Sequence, residues 1–93
     1  GHCAVFGESP AEAIRLTGDL LKVLHVHDNN GQSDLHWLPY QGVINWSDFN
    51  KALHDINYDG CVSIETAVSN KLPPDLKEYY QIGLAKIAKK LAE

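Results

Sequence analysis

Two short β-branched runs most limit what this chain can become. In Lys22-Val23-Leu24-His25-Val26-His27 and Cys61-Val62-Ser63-Ile64-Glu65, apolar and polar side chains alternate. Leu24 and Val26 therefore share one face of the first strand, and Val62 and Ile64 one face of the second. The opposite faces carry Val23, His25 and His27, and Cys61, Ser63 and Glu65. Helical patterns surround and separate the runs. Ser9-Pro10-Ala11-Glu12 joins an N-cap serine, a proline at the first helical position and a glutamate that completes a capping box. This predicts a helix from Pro10 to about Thr17, closed by Gly18. Asn45 caps a second helix in which Trp46, Phe49, Leu53 and Ile56 recur at helical spacing beside Ala52, and Asp59-Gly60 turns into the second strand. Pro73-Pro74 opens a last helix with a stripe of Leu76, Tyr80, Leu84, Ile87 and Leu91, ending near Lys89-Lys90, where cations suit the helix dipole.

The order helix-strand-helix-strand-helix predicts an α/β fold with two parallel strands. A doubly wound sheet buries both faces and reads apolar on both, whereas these strands carry ionisable residues on one. A barrel whose inward side chains line a site at the C-terminal rim explains the pattern better. Two strands cannot close a barrel, which typically takes about 250 residues, so the 93 residues read as a fragment of one domain. That length excludes a two-domain enzyme. Eight Lys plus Arg against twelve Asp plus Glu give 8 − 12 = −4, which disfavours a nonspecific nucleic-acid binder. No apolar run approaches the roughly 20 residues of a membrane span and no signal-peptide pattern opens the chain, so a cytoplasmic parent is expected. Cys3 and Cys61 suggest no disulfide scaffold and are expected reduced and partly buried. Open parallel strand edges predict self-association into a homo-oligomer.

Four of the five histidines, His2, His25, His27 and His36, fall in the first 36 positions among aspartates. His25 and Glu65 stand at the C-terminal ends of their strands on the polar face. Imidazole and carboxylate converging there make a first shell for a divalent cation, although a plain His–Glu hydrogen bond has the same signature. From Asp28 to about Asn45 the chain is polar and long for a connection, as functional loops are. Within it Asp34 and His36, two apart in an extended segment, point to one side and could add two ligands, or form a solvated loop. His27 could be a ligand, a substrate contact or a partner orienting His25. Asp28 could cap the loop or hold a histidine tautomer. Trp37 and Tyr40 could wall a sugar-sized pocket or pack the loop, and His54 beside Asp55 reads as a solvated face. No phosphate-cradling glycine loop, serine nucleophile motif or CxxC pair is present.

The ordered strings His25-Val26-His27-Asp28, Asp34-Leu35-His36, Gly42-Val43-Ile44-Asn45-Trp46, and Asp59-Gly60 before Ser63-Ile64-Glu65-Thr66 resemble the C-terminal third of the xylose isomerase-like TIM barrels. That family includes sugar phosphate isomerases and epimerases, inosose isomerases and apurinic endonucleases of the endonuclease IV type. The resemblance implies that residues 1–93 are a C-terminal fragment of a TIM (β/α)8 barrel, in which the two strands present are the seventh and eighth and the remainder of the barrel is missing. It makes His25, Glu65, Asp34 and His36 metal ligands, the last two as the Asp-x-His that holds an additional zinc in the endonucleases. Glu65 becomes an acid/base carboxylate. His2 ends an Asp-x-Gly-His motif and contacts substrate in epimerases or metal in endonucleases; His27 and Trp37 join it as expected substrate contacts. His27 departs from a position often Asn or Lys. The implied parent is a metal-dependent sugar or sugar-phosphate isomerase/epimerase acting through an enediolate. A zinc-dependent apurinic-site endonuclease is the alternative, with nucleic acid disfavoured by charge, and a non-catalytic self-associating fragment is the third. A divalent metal, zinc or manganese, is expected to bind the 93 residues weakly or not at all, and the fragment is expected to be inactive alone.

Overall fold

In the computed structural model, which describes residues 1–66 and 68–93, the elements run α1 (His2–Val5), α2 (Pro10–Thr17), a 3-10 turn (Gly18–Leu20), β1 (Leu24–Val26), α3 (Trp46–Asp55), β2 (Val62–Ile64) and α4 (Pro74–Ala92). The helices begin where local capping places them. The Ser9 hydroxyl accepts from the Glu12 amide at 3.3 Å, and the Asn45 side chain accepts from the Asp48 amide at 3.1 Å. Gly18 closes α2 at φ 56°, a conformation that glycine takes without a Cβ penalty. β1 and β2 pair in parallel with Leu24 opposite Val62, His25 opposite Ser63 and Val26 opposite Ile64. The chain therefore forms a two-stranded, partial α/β barrel unit with α3 as the crossover.

Every helix that packs does so on one side of this sheet. Val26, Ile44, Trp46, Phe49, Ala52, Leu53, Ala11, Ile14 and Leu91 make one core, and Leu24, Val62 and Ile64 add their apolar face to it. His25, Ser63 and Glu65 project from the uncovered face. Arg15 ties α2 to α3, donating to Asp48 at 2.7 Å and to Asp55 at 3.1 Å, so Asp55 is a tether as well as an exposed residue. At the far end, Asn50 donates to the Leu91 carbonyl at 2.7 Å, and the buried Leu91 seats α4.

Several expectations need adjusting. Both strands are shorter than the runs that predict them, because ladder hydrogen bonds form only where both backbones lie side by side. α1 is additional; it has no side-chain cap, and its leading carbonyl on Gly1 accepts from Asn29 at 2.9 Å. The predicted stripe of α4 is seated only toward its C-terminus, and Leu76 is exposed with Tyr79 and Ile82. Cys61 is exposed and Cys3 half-buried, both free. Among the described residues no helix is long and apolar enough to cross a membrane.

Candidate metal centre

The long connection after β1 is folded by one carboxylate. Asp28 is fully buried and accepts from four donors: the Asn29 amide at 2.9 Å, the Gly42 amide at 2.9 Å, the Ile44 amide at 3.3 Å and the Trp46 indole at 2.8 Å. Gly42 is required for this approach. A Cβ there would stand 2.0 Å from the Asn29 carbonyl oxygen and 2.3 Å from an Asp28 carboxylate oxygen, so that backbone or the buried carboxylate would have to shift. Asp28 and Trp37 then exchange two backbone hydrogen bonds of 2.8 Å, which folds the intervening segment back over the end of β1.

That return brings His2, His27, Asp34 and His36 together, with one ligand-type atom from each lying within 4.8 Å of the others. His2 Nε2 is 2.8 Å and His36 Nε2 3.1 Å from the same Asp34 oxygen, while His27 Nε2 is 3.6 Å from the other. His36 adopts φ 50°, a left-handed conformation in which histidine is more often found than most residues. Its Nδ1 donates to the Glu65 carbonyl at 3.1 Å, and its ring stacks on His27 at 3.8 Å and 11°. An imidazole whose Nδ1–H is held by a carbonyl turns its Nε2 toward the cluster, the arrangement found around metal-ligating histidines.

A family model described as xylose isomerase-like TIM barrel matches residues 1–90. The chain belongs to the xylose isomerase-like TIM barrel family. Among curated relatives of this barrel chain, an uncharacterized protein of Methanocaldococcus jannaschii, MJ1311, is 38% identical over 97% of the chain and 32% of its own length. A D-psicose 3-epimerase of Agrobacterium fabrum is 33% identical over 95% of the chain and 30% of its own length. Another, of Enterocloster bolteae, is 34% identical over 72% of the chain and 21% of its own length. The barrel chain thus spans about a third or less of the curated relatives it matches. No solved structure matches it with comparable significance.

Within this xylose isomerase-like unit, the expected ligand set of His25, Glu65, Asp34 and His36 is divided between two places. Asp34 and His36 are grouped with His2 and His27. His25 Nδ1 and Glu65 Oε2 form a separate pair at 3.9 Å, both at least half exposed on the open sheet face. The reason is register: the loop folds back over the end of β1, and His25 lies two residues before His27, about 6.6 Å down an extended chain. Asp28 acts as the loop's organiser, and among the described residues its carboxylate makes no hydrogen bond to a histidine ring. Trp37 and Tyr40 are both partly exposed, and Tyr40 leans on Trp46 at 6.0 Å beneath Lys90 at the edge of the core. His54 is exposed.

The electrostatics follow the contacts. For Asp34, desolvation works against ionisation, but the hydrogen bonds from His2 and His36 prevail and hold its carboxyl below the usual range. The bond to Asp34 raises His36, against partial desolvation, and the Glu65 carbonyl adds to the rise. Burial, reinforced by nearby positive charge, lowers His27. One carboxylate thus sits among three imidazoles, with His36 shifted up and His27 shifted down, a donor set suited to a borderline divalent cation such as zinc. The sequence pairs Asp34 with His36 but leaves His2 and His27 as separate candidates; the grouping of all four had no local signal beyond the polar loop that contains Gly31, Pro39 and Gly42.

Proposed function

We propose that residues 1–93 are the C-terminal third of a cytoplasmic, metal-dependent sugar or sugar-phosphate isomerase or epimerase that moves a proton through an enediolate. The observation that carries this reading is Glu65. Its carboxylate stands just past β2 on the open sheet face, 50% exposed and 3.9 Å from His25, in a chain whose relatives include two D-psicose 3-epimerases. A carboxylate so placed can take a proton from the carbon beside a substrate carbonyl and hand it back to a neighbouring position or the other face. An opposing carboxylate would come from outside residues 1–93. His25 and Glu65 each offer a lone pair and, with donors from the remaining barrel, would hold a divalent ion that polarises the substrate's carbonyl and hydroxyl oxygens. Trp37 offers an apolar face to a sugar ring. His2 and His27, expected as substrate contacts, are in this reading members of the Asp34 cluster.

Glu65→Gln in the full-length protein tests the proposal, with ketose epimerisation and exchange of the substrate C–H for solvent deuterium as paired readouts. Both should fall together by about 10²–10⁴-fold, the usual contribution of a positioned acid/base. Undiminished exchange would remove Glu65 from the chemistry. The apurinic-site endonuclease is favoured by one observation, the nitrogen-rich cluster around Asp34. The net charge of −4 opposes it. Incision of abasic duplex DNA against turnover of ketoses by the same preparation separates the two.

A further inference from the structure

We propose that His36 is a positioning residue for Glu65: the hydrogen bond from its Nδ1–H to the Glu65 carbonyl fixes the main chain that carries the proton-transfer carboxylate, and His36 serves the reaction through that bond. The inference rests on the isomerase or epimerase reading of Glu65, and it concerns the ring nitrogen of His36 that does not meet Asp34.

The first argument is how little else holds Glu65. β2 ends at Ile64, so Glu65 stands just beyond the paired strand. Its side chain is half exposed, and the carboxylate is 3.9 Å from His25, beyond hydrogen-bond length. Among the described residues that carboxylate accepts no hydrogen bond, so its aim depends on the main chain behind it. The Glu65 amide donates to the Val26 carbonyl at 2.8 Å, which ties it to β1. The Glu65 carbonyl accepts from His36 Nδ1 at 3.1 Å, which ties it to the loop. These bonds hold the two planar peptide groups on either side of one Cα, and together they set the direction of the Cα–Cβ bond.

The second argument is that His36 is itself held, as a residue that positions another must be. Its ring stacks on His27 at 3.8 Å and 11°, and the His27 side chain is only 2% exposed, so the ring lies against a buried surface. Nε2 meets Asp34 at 3.1 Å. The next residue, Trp37, exchanges two backbone hydrogen bonds of 2.8 Å with the buried Asp28. A continuous run of contacts therefore leads from the Asp28 platform through Trp37 and His36 to Glu65.

The third argument is the conformation of His36. It takes φ 50°, which costs energy in a residue with a Cβ and persists where the surroundings over-determine it. A turn alone would be served as well by glycine, which takes this conformation freely. What glycine lacks is a ring donor. A carbonyl oxygen only accepts, so the bond to Glu65 requires the proton on Nδ1 and makes the histidine tautomer part of the link.

The experiment measures epimerisation of a ketohexose, and exchange of its C–H for solvent deuterium, in the full-length protein. The variants are His36→Gly, His36→Asn, Glu65→Gln, and His36→Gly combined with Glu65→Gln. Glycine accepts φ 50° and removes the donor. Asparagine also tolerates φ 50°, can place a side-chain N–H where Nδ1 stands, and has no atom at Nε2. His36→Gly should lower kcat by about 10–100-fold with KM little changed, since a misplacement of about 1 Å costs up to about 10²-fold. His36→Asn should recover most of that loss. In the Glu65→Gln background His36→Gly should cost nothing further, because both residues act through one carboxylate. If His36→Gly does not fold, His36→Gln carries the same expectation, since its longer amide reaches the Nε2 position and leaves the Glu65 carbonyl without a donor. Wild-type kcat in His36→Gly, asparagine as inactive as glycine, or losses that add in the double variant would overturn the positioning role. Undiminished turnover and exchange in Glu65→Gln would instead sink the epimerase reading, and the inference with it.

Discussion

Two aspartates of one loop, Asp28 and Asp34, meet opposite fates. Asp28 is sealed beneath the loop with four N–H donors around it, three from backbone amides and one from an indole. Asp34, six residues later, is 38% exposed, and its side-chain partners among the described residues are the imidazoles of His2, His27 and His36. Backbone donors cannot change charge, so a carboxylate they saturate can only be structural. Titratable donors leave a carboxylate that can exchange protons for a cation. The first aspartate builds the platform, and the second uses it.

The contrast breaks most easily at Asp28. Asp28→Ala leaves several buried donors unpaired and should destabilise the protein by about 3–5 kcal/mol or prevent folding, read from urea denaturation. Asp34→Ala in the metal-free protein should leave the denaturation midpoint nearly unmoved; equal losses from the two substitutions would erase the difference between the two aspartates.

A smaller effect is expected from Gly42→Ala. Its Cβ must displace the Asn29 carbonyl or the Asp28 side chain, and overpacking of this kind costs about 1–3 kcal/mol. If Asp28 organises the loop, this variant should also loosen the Asp34 cluster, seen as faster amide exchange of Trp37, whose amide donates to the Asp28 carbonyl. Unchanged exchange at Trp37 would uncouple the platform from the site.

The mildest perturbation is pH. The folded pKa of Asp34 is depressed, so its contribution is present above the ordinary value of 3.8 and fades as pH falls through the folded value. That of His36 is raised, so its contribution is present below 6.5 and fades as pH rises through the folded value. Their mutual stabilisation in the metal-free protein is therefore complete only between about those limits. Histidine NMR titration should place the His36 midpoint above 6.5 and that of His27 below it, the latter chiefly through burial. Asp34→Ala should lower the His36 midpoint; a His36 midpoint indifferent to Asp34 would contradict the contact. The Arg15 bond likewise depresses Asp48, so the α2–α3 tether should hold above the ordinary carboxyl range and slacken only in stronger acid.

Features that depend on residues a few positions apart were already legible in the chain. Ser9 and Glu12, Asn45 and Asp48, and Gly18 at the end of α2 form contacts within a single turn, and the alternation of Leu24, Val26, Val62 and Ile64 marks the core face in any register. The residues of the cluster were also recognisable as chemically capable, Asp34 and His36 as a pair and His2 and His27 singly. Local reading failed where a partner distant in sequence decides. Strand ends depend on where the two backbones diverge, and the exposure of Leu76 depends on how α4 lies against the rest of the fold. The ligand grouping depends on hydrogen bonds that cross the loop, from Asp28 to Gly42, Ile44 and Trp46 and between the Asp28 and Trp37 backbones. Those bonds carry Asp34 and His36 to His27 and His2 and leave His25 with Glu65. Composition and periodicity determine which side chains are available and which face of a strand they take, because both follow from one residue's chemistry and the fixed pitch of the backbone. Only the folded loop decides which of them share a centre, because that is a distance between segments up to 34 residues apart.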